Sequence, residues 1–467
     1  MNLETDNKIQ KKGITLVIPN PCGNIKETKM KNSGIEWIGE IPEDWEVKRG
    51  KELFFEINDR CKNPENYPLL SVSEYYGVAL KSEKIEEGDF ITHAETLDGY
   101  KICQKGDIVQ NIMLAWKRAT GMSNYEGLIS PAYCIYRPYK GIDSKYYHYL
   151  FRTDVYADLF KQYSTGIIDS RLRLYPAKFL SLKYAYPPKE TQQRIASYLD
   201  KKCSKIEEII QKQQQVIEKL KAYKQSLITE AVTGKVKIEN GKICGKYESY
   251  KESGVEWIGK IPSKWISTRV GHLYKSMLGK MVCPNQLTEE HSLQKYLCAM
   301  NVHFDGVDLS EIKEMWFTSN EMNQYQVRNG DLLVVEGGAG AGGASIVYGL
   351  SENDKIFIQN SIHLVKPVKT NYLPKYLYYW IYSLVKQNYI DYTCNKATIP
   401  HFTKEKLEGM PIAISDKITQ QEIIFYLDKK CTAIDTAIEQ KQNLIEKLTE
   451  YKKSLIYEVV TGKRDIK

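Results

Sequence analysis

Several side-chain groups in this 467-residue chain have the chemistry to meet a polyanion. Trp116-Lys117-Arg118 occupies a short break between two strand-like runs, and Arg171 and Arg173 flank Leu172 in SRLRLYP. In the C-terminal half, Gln359 and Asn360 lie within IFIQNSIHLVKP, while Lys396, Thr398 and His401 fall in KATIPH. Arginine and lysine neutralise phosphates. Arginine on guanine, and asparagine or glutamine on adenine, add paired hydrogen bonds that distinguish bases. Any one of these residues alone reads as a solvated surface group. Their recurrence in both halves of one chain raises nucleic-acid binding above that reading.

Catalytic constellations are harder to find. The run EGGAGAGGAS, Glu336 to Ser345, contains G-x-G-x-x-G at Gly338, Gly340 and Gly343. It lacks a Walker lysine, and no acidic residue after a following strand completes a dinucleotide fingerprint. A loop between strands Asp331–Val335 and Ala344–Val347 is the plainer expectation. Seven histidines are dispersed without H-E-x-x-H spacing. Glu46-Val47-Lys48 has no matching upstream aspartate in strand context, and Tyr186 and Lys189 around Pro187-Pro188 break any N-P-P-Y pattern. The expectation is no active site, no bound cofactor and no metal.

Lys+Arg 66 against Asp+Glu 58 leaves a net charge of +8, which permits a polyanionic partner without requiring one. Ten cysteines are scattered without C-x-x-C spacing, as in a reducing compartment. The N-terminus MNLETDNKIQKK has no apolar core, and no run approaches the roughly 20 apolar residues of a membrane span. YLYYWIYSLV after Lys375 is short and Tyr-rich and reads as a buried helix. A cytoplasmic protein with no membrane partner is expected.

The organisation shows in repeats. YLDKKC begins at Tyr198 and again at Tyr426, an offset of 426 − 198 = 228. IEKLKAYKQSLITEAVTGK from Ile217 returns at the same offset as IEKLTEYKKSLIYEVVTGK from Ile445, and SGIEWIGEIPEDW from Ser33 returns as SGVEWIGKIPSKW from Ser253. Period reading precedes fold reading in such chains. Leu199, Cys203, Ile206, Ile210, Gln213, Ile217, Leu220, Lys224, Leu227 and Ala231 recur at alternating steps of four and three, a coiled-coil seam. Leu427, Cys431, Ile434, Ile438, Lys441, Ile445, Leu448, Lys452, Leu455 and Val459 repeat it, with polar breaks at matching places.

Pairing within one chain benefits from a high effective concentration. A helix of about 41 residues spans roughly 60 Å. Parallel pairing would therefore stretch the segment from Gly234 to Ser253 nearly straight, at about 3.3 Å per residue. Antiparallel pairing is expected. The fold class is then α+β: two mixed α/β heads separated by two long helices paired as an antiparallel coiled coil, a pseudo-twofold internal repeat. The divisions are a leader 1–32, a first head 33–189, a long helix 190–234, a linker 235–252, a second head 253–416, and a second long helix with tail 417–467.

This order resembles the specificity subunit of type I restriction–modification systems. The likeness runs from Ser33 onward. It rests on the two SG-x-EWIG-x-IP starts, on GLISPAYCIYRP, STGIIDSRLRLYP and YPPKETQQRIASYLD, and on YLCAMNV, GDLLVVEGG, KATIPHF and the TQQ…YLDKKC helix. One departure is the P-P-x-x-E-Q at each helix start, which reads Pro187-Pro188-Lys-Glu-Thr191-Gln192-Gln193 in one copy and the proline-free ISDKITQQ in the other. The resemblance implies a non-catalytic subunit whose heads are target recognition domains, each reading half of a bipartite asymmetric site in double-stranded DNA. It also implies docking of two methyltransferase subunits that carry S-adenosylmethionine and, for restriction, two motor-nuclease subunits that use ATP and Mg. A coiled-coil scaffold with two protein-binding heads is the alternative.

Overall fold

The computed structural model describes residues 29–83, 97, 99–338, 340–394 and 400–466. The chain forms two compact units, one of residues 1–211 with 445–467 and the other of residues 212–444, so both long helices contribute to each.

The first unit is built on an antiparallel four-stranded sheet in the order Phe54–Ile57, Tyr133–Pro138, Ile108–Asn111, Thr120–Met122. The sequence suggests one helix over KYYHYLFRTDVYADLF; the structure has two, Ser144–Phe151 and Asp154–Gln162. The Asp143 carboxylate caps the first by accepting from the Lys145 and Tyr146 amides. The break follows from Thr153, whose hydroxyl donates to the Leu150 carbonyl at 2.8 Å and so satisfies a last-turn acceptor. The core is aromatic: Phe54, Tyr136, Tyr146, Tyr147, Phe151, Phe160, Phe179 and Tyr184 are all fully buried. Ile195, Leu199, Cys203 and Ile206 of one long helix and Leu455, Val459 and Val460 of the other join the same cluster.

The second unit repeats the frame. Its four-stranded sheet runs Tyr274–Leu278, Ile362–Pro367, Leu332–Val335, Ala344–Ile346. YLYYWIYSLV forms the helix Pro374–Val385, with Tyr376, Leu377, Trp380 and Ile381 buried. The insertions differ. The second unit adds a three-stranded sheet in which Ser292–Leu297 pairs with Lys313–Phe317 and, in parallel, with Ile356–Ile358. The first adds the hairpin Leu70–Ser73/Gly77–Leu80 and the antiparallel pair Lys101–Cys103 with Gly127–Ile129.

Two segments carry more structure than their sequence suggests. The segment 235–252, read as a linker, contains the hairpin Lys237–Glu239/Lys242–Gly245, turned by Asn240 and Gly241 at positive φ. Asn-Gly is the dipeptide that a two-residue hairpin turn favours. Residues 30–32, assigned to the leader, form a strand paired with Glu40–Pro42, as Tyr250–Glu252 does with Lys260–Pro262. The rest of the leader up to residue 28 lies outside the described residues.

The long helices are Lys189–Val232 and Lys417–Val460, each of 44 residues. In the second unit Gln213 meets Lys441 and Lys224 meets Asp435, so rising numbers on one helix face falling numbers on the other. In the first unit Lys452 pairs with Glu207. The pairing is antiparallel. Leu199, Ile206, Ile217, Leu227, Leu427, Ile434 and Leu455 are buried, while Ile210, Leu220, Ile438, Ile445 and Leu448 are half-buried, as expected of a two-helix seam with water on its flanks.

The repeated sequences are the docking parts of this frame. Asp200 of the first YLDKKC accepts from the Tyr149 hydroxyl at 2.7 Å, and Asp428 of the second accepts from Tyr379 at 2.6 Å. Buried Gln192 and Gln420 each accept from a head amide, Asp143 and Leu373, and donate to a carbonyl just before their own helix. Cys203 and Cys431 fill the seam, and burial raises both thiols to about 11. At the helix ends the Val460 carbonyl accepts from Tyr146 and the Val232 carbonyl from Tyr376. Gly462 then turns beneath Pro42 and Trp45, and Gly234 beneath Pro262 and Trp265. The SG-x-EWIG-x-IP segment is therefore the socket for the end of a long helix.

Candidate nucleic-acid interface

In each four-stranded sheet, one end gathers four loops. In the first unit these follow Ile57, precede Tyr133, join Asn111 to Thr120, and approach from residues 165–175. Trp116-Lys117-Arg118 lies in the Asn111–Thr120 connection, where Ala115–Lys117 forms a single 3-10 turn. The Trp116 indole N–H donates to the Met113 carbonyl at 3.0 Å, and the Lys161 and Lys117 ammonium groups stand 4.8 and 5.2 Å from the ring centroid. The Leu174 amide donates to the Ile112 carbonyl, and the Arg173 guanidinium lies 3.9 Å from Met113 Sδ. The structure thus brings Trp116, Lys117, Arg171 and Arg173 to one end of one sheet.

Arg118 belongs with them in sequence but does another job. It takes a left-handed conformation (φ 66°), its guanidinium pairs with Asp154, and its carbonyl accepts from Arg152. Arg152 reaches five carbonyls, those of Ser73, Glu74, Tyr75, Arg118 and Thr120. Burial lowers its pKa to about 10. Beside it His148 accepts from the Met122 amide, and desolvation, helped by Arg152 and Lys145, pushes the imidazole down to about 3. These two residues brace the loops from beneath. Nothing in the local sequence marks them, because their partners are backbone groups distant along the chain.

The corresponding end of the second sheet is built differently. The glycine-rich run is a hairpin connection: the Val335 amide donates to Gly343 O, and Gly342 donates to Val335 O. Its strands pair antiparallel and no helix follows, so the phosphate-cradling geometry of a nucleotide loop is not formed. It occupies the position that Trp116-Lys117-Arg118 holds in the first unit. Glu336 donates its amide to Ser361 O and accepts from the Phe402 amide, while Gly337 bridges His401, which is exposed. Gln359 and Asn360 sit at this same end, where Gly279 passes so close that a Cβ would lie 2.5 Å from the Gln359 carbonyl. Gln359 Nε2 donates to Asn360 Oδ1 at 2.6 Å. Gln359, Asn360 and His401 therefore converge. Lys396 and Thr398 lie outside the described residues.

Apolar side chains stand exposed among these loops and were not anticipated from the sequence. Ile167 and Ile168 do so in the first unit, and Met281 and Val282, next to Asn360's partner Lys280, do so in the second. Among the described residues no group of three or more His, Cys, Asp or Glu is placed to hold a metal, and no helix is long and apolar enough to cross a membrane.

Residues 310–448 match the family model described as the type I restriction modification DNA specificity domain. The chain is 23% identical to the type I restriction enzyme MjaX specificity subunit of Methanocaldococcus jannaschii, across 92% of this chain and 96% of that one. It is 21% identical to the EcoKI specificity subunit of Escherichia coli K12, across 91% and 90%. Among solved structures, one from a study of complex assembly and conformational transition of the type I R-M system superposes with a TM-score of 0.65 at 13% identity, covering 91% of this chain and 99% of that one. The HsdS subunit from Thermoanaerobacter tengcongensis superposes at 0.52 and 13% identity, covering 91% and 98%. With the duplicated frame and the paired long helices, the chain shares the fold of these proteins and is similar in sequence, over nearly its whole length, to type I restriction–modification specificity subunits.

Proposed function

We propose that this chain selects the DNA sequence for a type I restriction–modification enzyme, without catalysis of its own. Each head reads one half of a bipartite, asymmetric site in double-stranded DNA. The long helices fix the spacing between the halves and help dock two methyltransferase subunits, which carry S-adenosylmethionine. Motor-nuclease subunits using ATP and Mg join the restriction form. The observation that carries this reading is one frame built twice with different loops at the same sheet end. Trp116, Lys117, Arg171 and Arg173 stand there in one head, and Gln359, Asn360 and His401 in the other. A common frame with divergent polar loops suits one recognition task performed on two targets, as in dimeric readers whose geometry sets half-site spacing.

The test is methylation mapping. The chain is expressed with the methyltransferase subunit of its system, and modified adenines are located on a plasmid. A single two-part motif with a fixed gap is expected. Exchanging residues 53–182 for another head should change one half of that motif and leave the other. No methylation, although the complex assembles and the methyltransferase works with another specificity chain, would reject the reading and favour a protein-binding scaffold.

A further inference from the structure

Ile167 is fully exposed and Ile168 is 52% exposed, side by side at the tip of a braced loop. Thr165 and Arg173 close its base by exchanging two backbone hydrogen bonds of 2.9 and 3.0 Å. A 3-10 turn, Asp169–Arg171, folds the loop back so that the Arg171 amide donates to Ile168 O at 2.8 Å. Gly166 permits this fold: a Cβ there would lie 2.6 Å from the Arg171 carbonyl. Leu172 and Leu174 are buried, anchoring one limb, and Asp169 is ion-paired with Lys161. Two adjacent β-branched residues are thus held out into water by a loop that could have turned them inward.

The surroundings say what covers them. Exposed Arg171 and Lys117 and half-buried Arg173 stand at the same end of the sheet, and none makes an ion pair among the described residues. The one acid in the loop, Asp169, is matched by Lys161. An apolar tip between free cations is complementary to stacked bases between phosphates. Proteins that bend DNA insert side chains such as Ile into a base step in this way. We propose that Ile167 and Ile168 form a wedge that enters a base step of the DNA bound by the first head and bends the duplex there. This rests on the DNA-reading function proposed above.

The test uses the full chain assembled with its methyltransferase subunits. A random-sequence duplex pool is enriched for bound DNA, and a recovered duplex is end-labelled for energy transfer. The wild-type complex should bend it by roughly 20–90°. Ile167→Ser/Ile168→Ser should abolish the bend and weaken binding by roughly tenfold or more, the equivalent of losing one buried aliphatic side chain. Its salt dependence should not change, whereas Arg171→Ala should keep the bend and lower the salt dependence. If the serine variant binds and bends as wild type does, the wedge is overturned and the DNA reading stands. If the wild-type complex retains no duplex at all, the DNA reading fails and takes the wedge with it. If the serine variant no longer assembles with the methyltransferase, the tip docks a protein, and the wedge is again overturned.

Discussion

Lys441 donates to the Gln213 side-chain oxygen at 3.0 Å across the antiparallel helices, and the two are each other's counterpart under the 228-residue repeat. Both polar breaks in the seam are explained by pairing. Lys224 meets Asp435, and its counterpart Lys452 meets Glu207, the residue that aligns with Asp435. Polar seam residues fix register at a cost in stability. Gln213→Leu/Lys441→Leu should therefore raise the unfolding free energy by about 1 kcal/mol, read as a higher urea midpoint. Register should survive, because the two flanking lysine–carboxylate pairs still specify it. A lowered midpoint would show that the pair stabilises the helices outright.

The glycines that end the long helices offer a matched comparison. Gly234 and Gly462 sit at φ 71° and 72°, and a Cβ on either would come within 2.4 and 2.5 Å of Pro262 and Pro42. Alanine at either position should cost at least about 1–2 kcal/mol from the left-handed backbone alone. The close proline contact adds to that. Urea unfolding of the two variants should show losses of similar size. A neutral result for either would mean that its helix end does not seat in the proline–tryptophan socket.

The frame was legible because its parts are written twice. The heptads of Leu199–Ala231 and Leu427–Val459 give the seam, and the two copies of YLDKKC and SG-x-EWIG-x-IP mark where helix meets head. The hairpin of residues 237–245 was missed although Asn240-Gly241 is its signal, since weak flanking alternation hid its strands. The candidate interface was legible in part. Arg171, Arg173, Trp116 and Lys117 converge, yet Arg118 turns out to be held by Asp154 and Arg152, a pairing set by sheet geometry that no local pattern encodes. The glycine-rich run was rightly read as a connection. Its equivalence to the Trp116 loop emerges only from strand order, because alanine is the one residue type the two loops share.

His148 predicts a pH dependence of the first head. Its Nδ1 accepts from Met122, so the ring is neutral, and desolvation depresses its pKa from 6.5 to about 3. The unfolded chain takes up a proton below 6.5 that the folded head refuses. The stability is therefore fully present above pH 6.5 and drains as pH falls toward 3. The slope cannot exceed about 1.4 kcal/mol per pH unit. Because the ring keeps some solvent contact, about 1 kcal/mol between pH 7.5 and 5.5 is expected. His148→Asn retains an acceptor for the Met122 amide but does not titrate. Its urea midpoint should change less over that range than the wild-type midpoint, and equal changes would show that His148 protonates freely in the folded head.

The interface itself separates by salt. Each phosphate neutralised contributes about 0.9 to the slope of log affinity against log salt. Arg171→Ala and Arg173→Ala in the methyltransferase-bound chain should each weaken DNA retention, and each should reduce that slope by about one if it meets one phosphate. Arg118→Ala should leave the slope alone and lower stability instead, because its charge is matched by Asp154. Gln359→Ala should alter which half-site is chosen, again with no change in slope, since an uncharged amide reads bases rather than phosphates. Retention measured across a salt series for these four variants distinguishes the roles. A slope unchanged in both Arg171→Ala and Arg173→Ala would remove the sheet end of the first head from the DNA-contacting surface, even with Trp116 and Lys117 beside it.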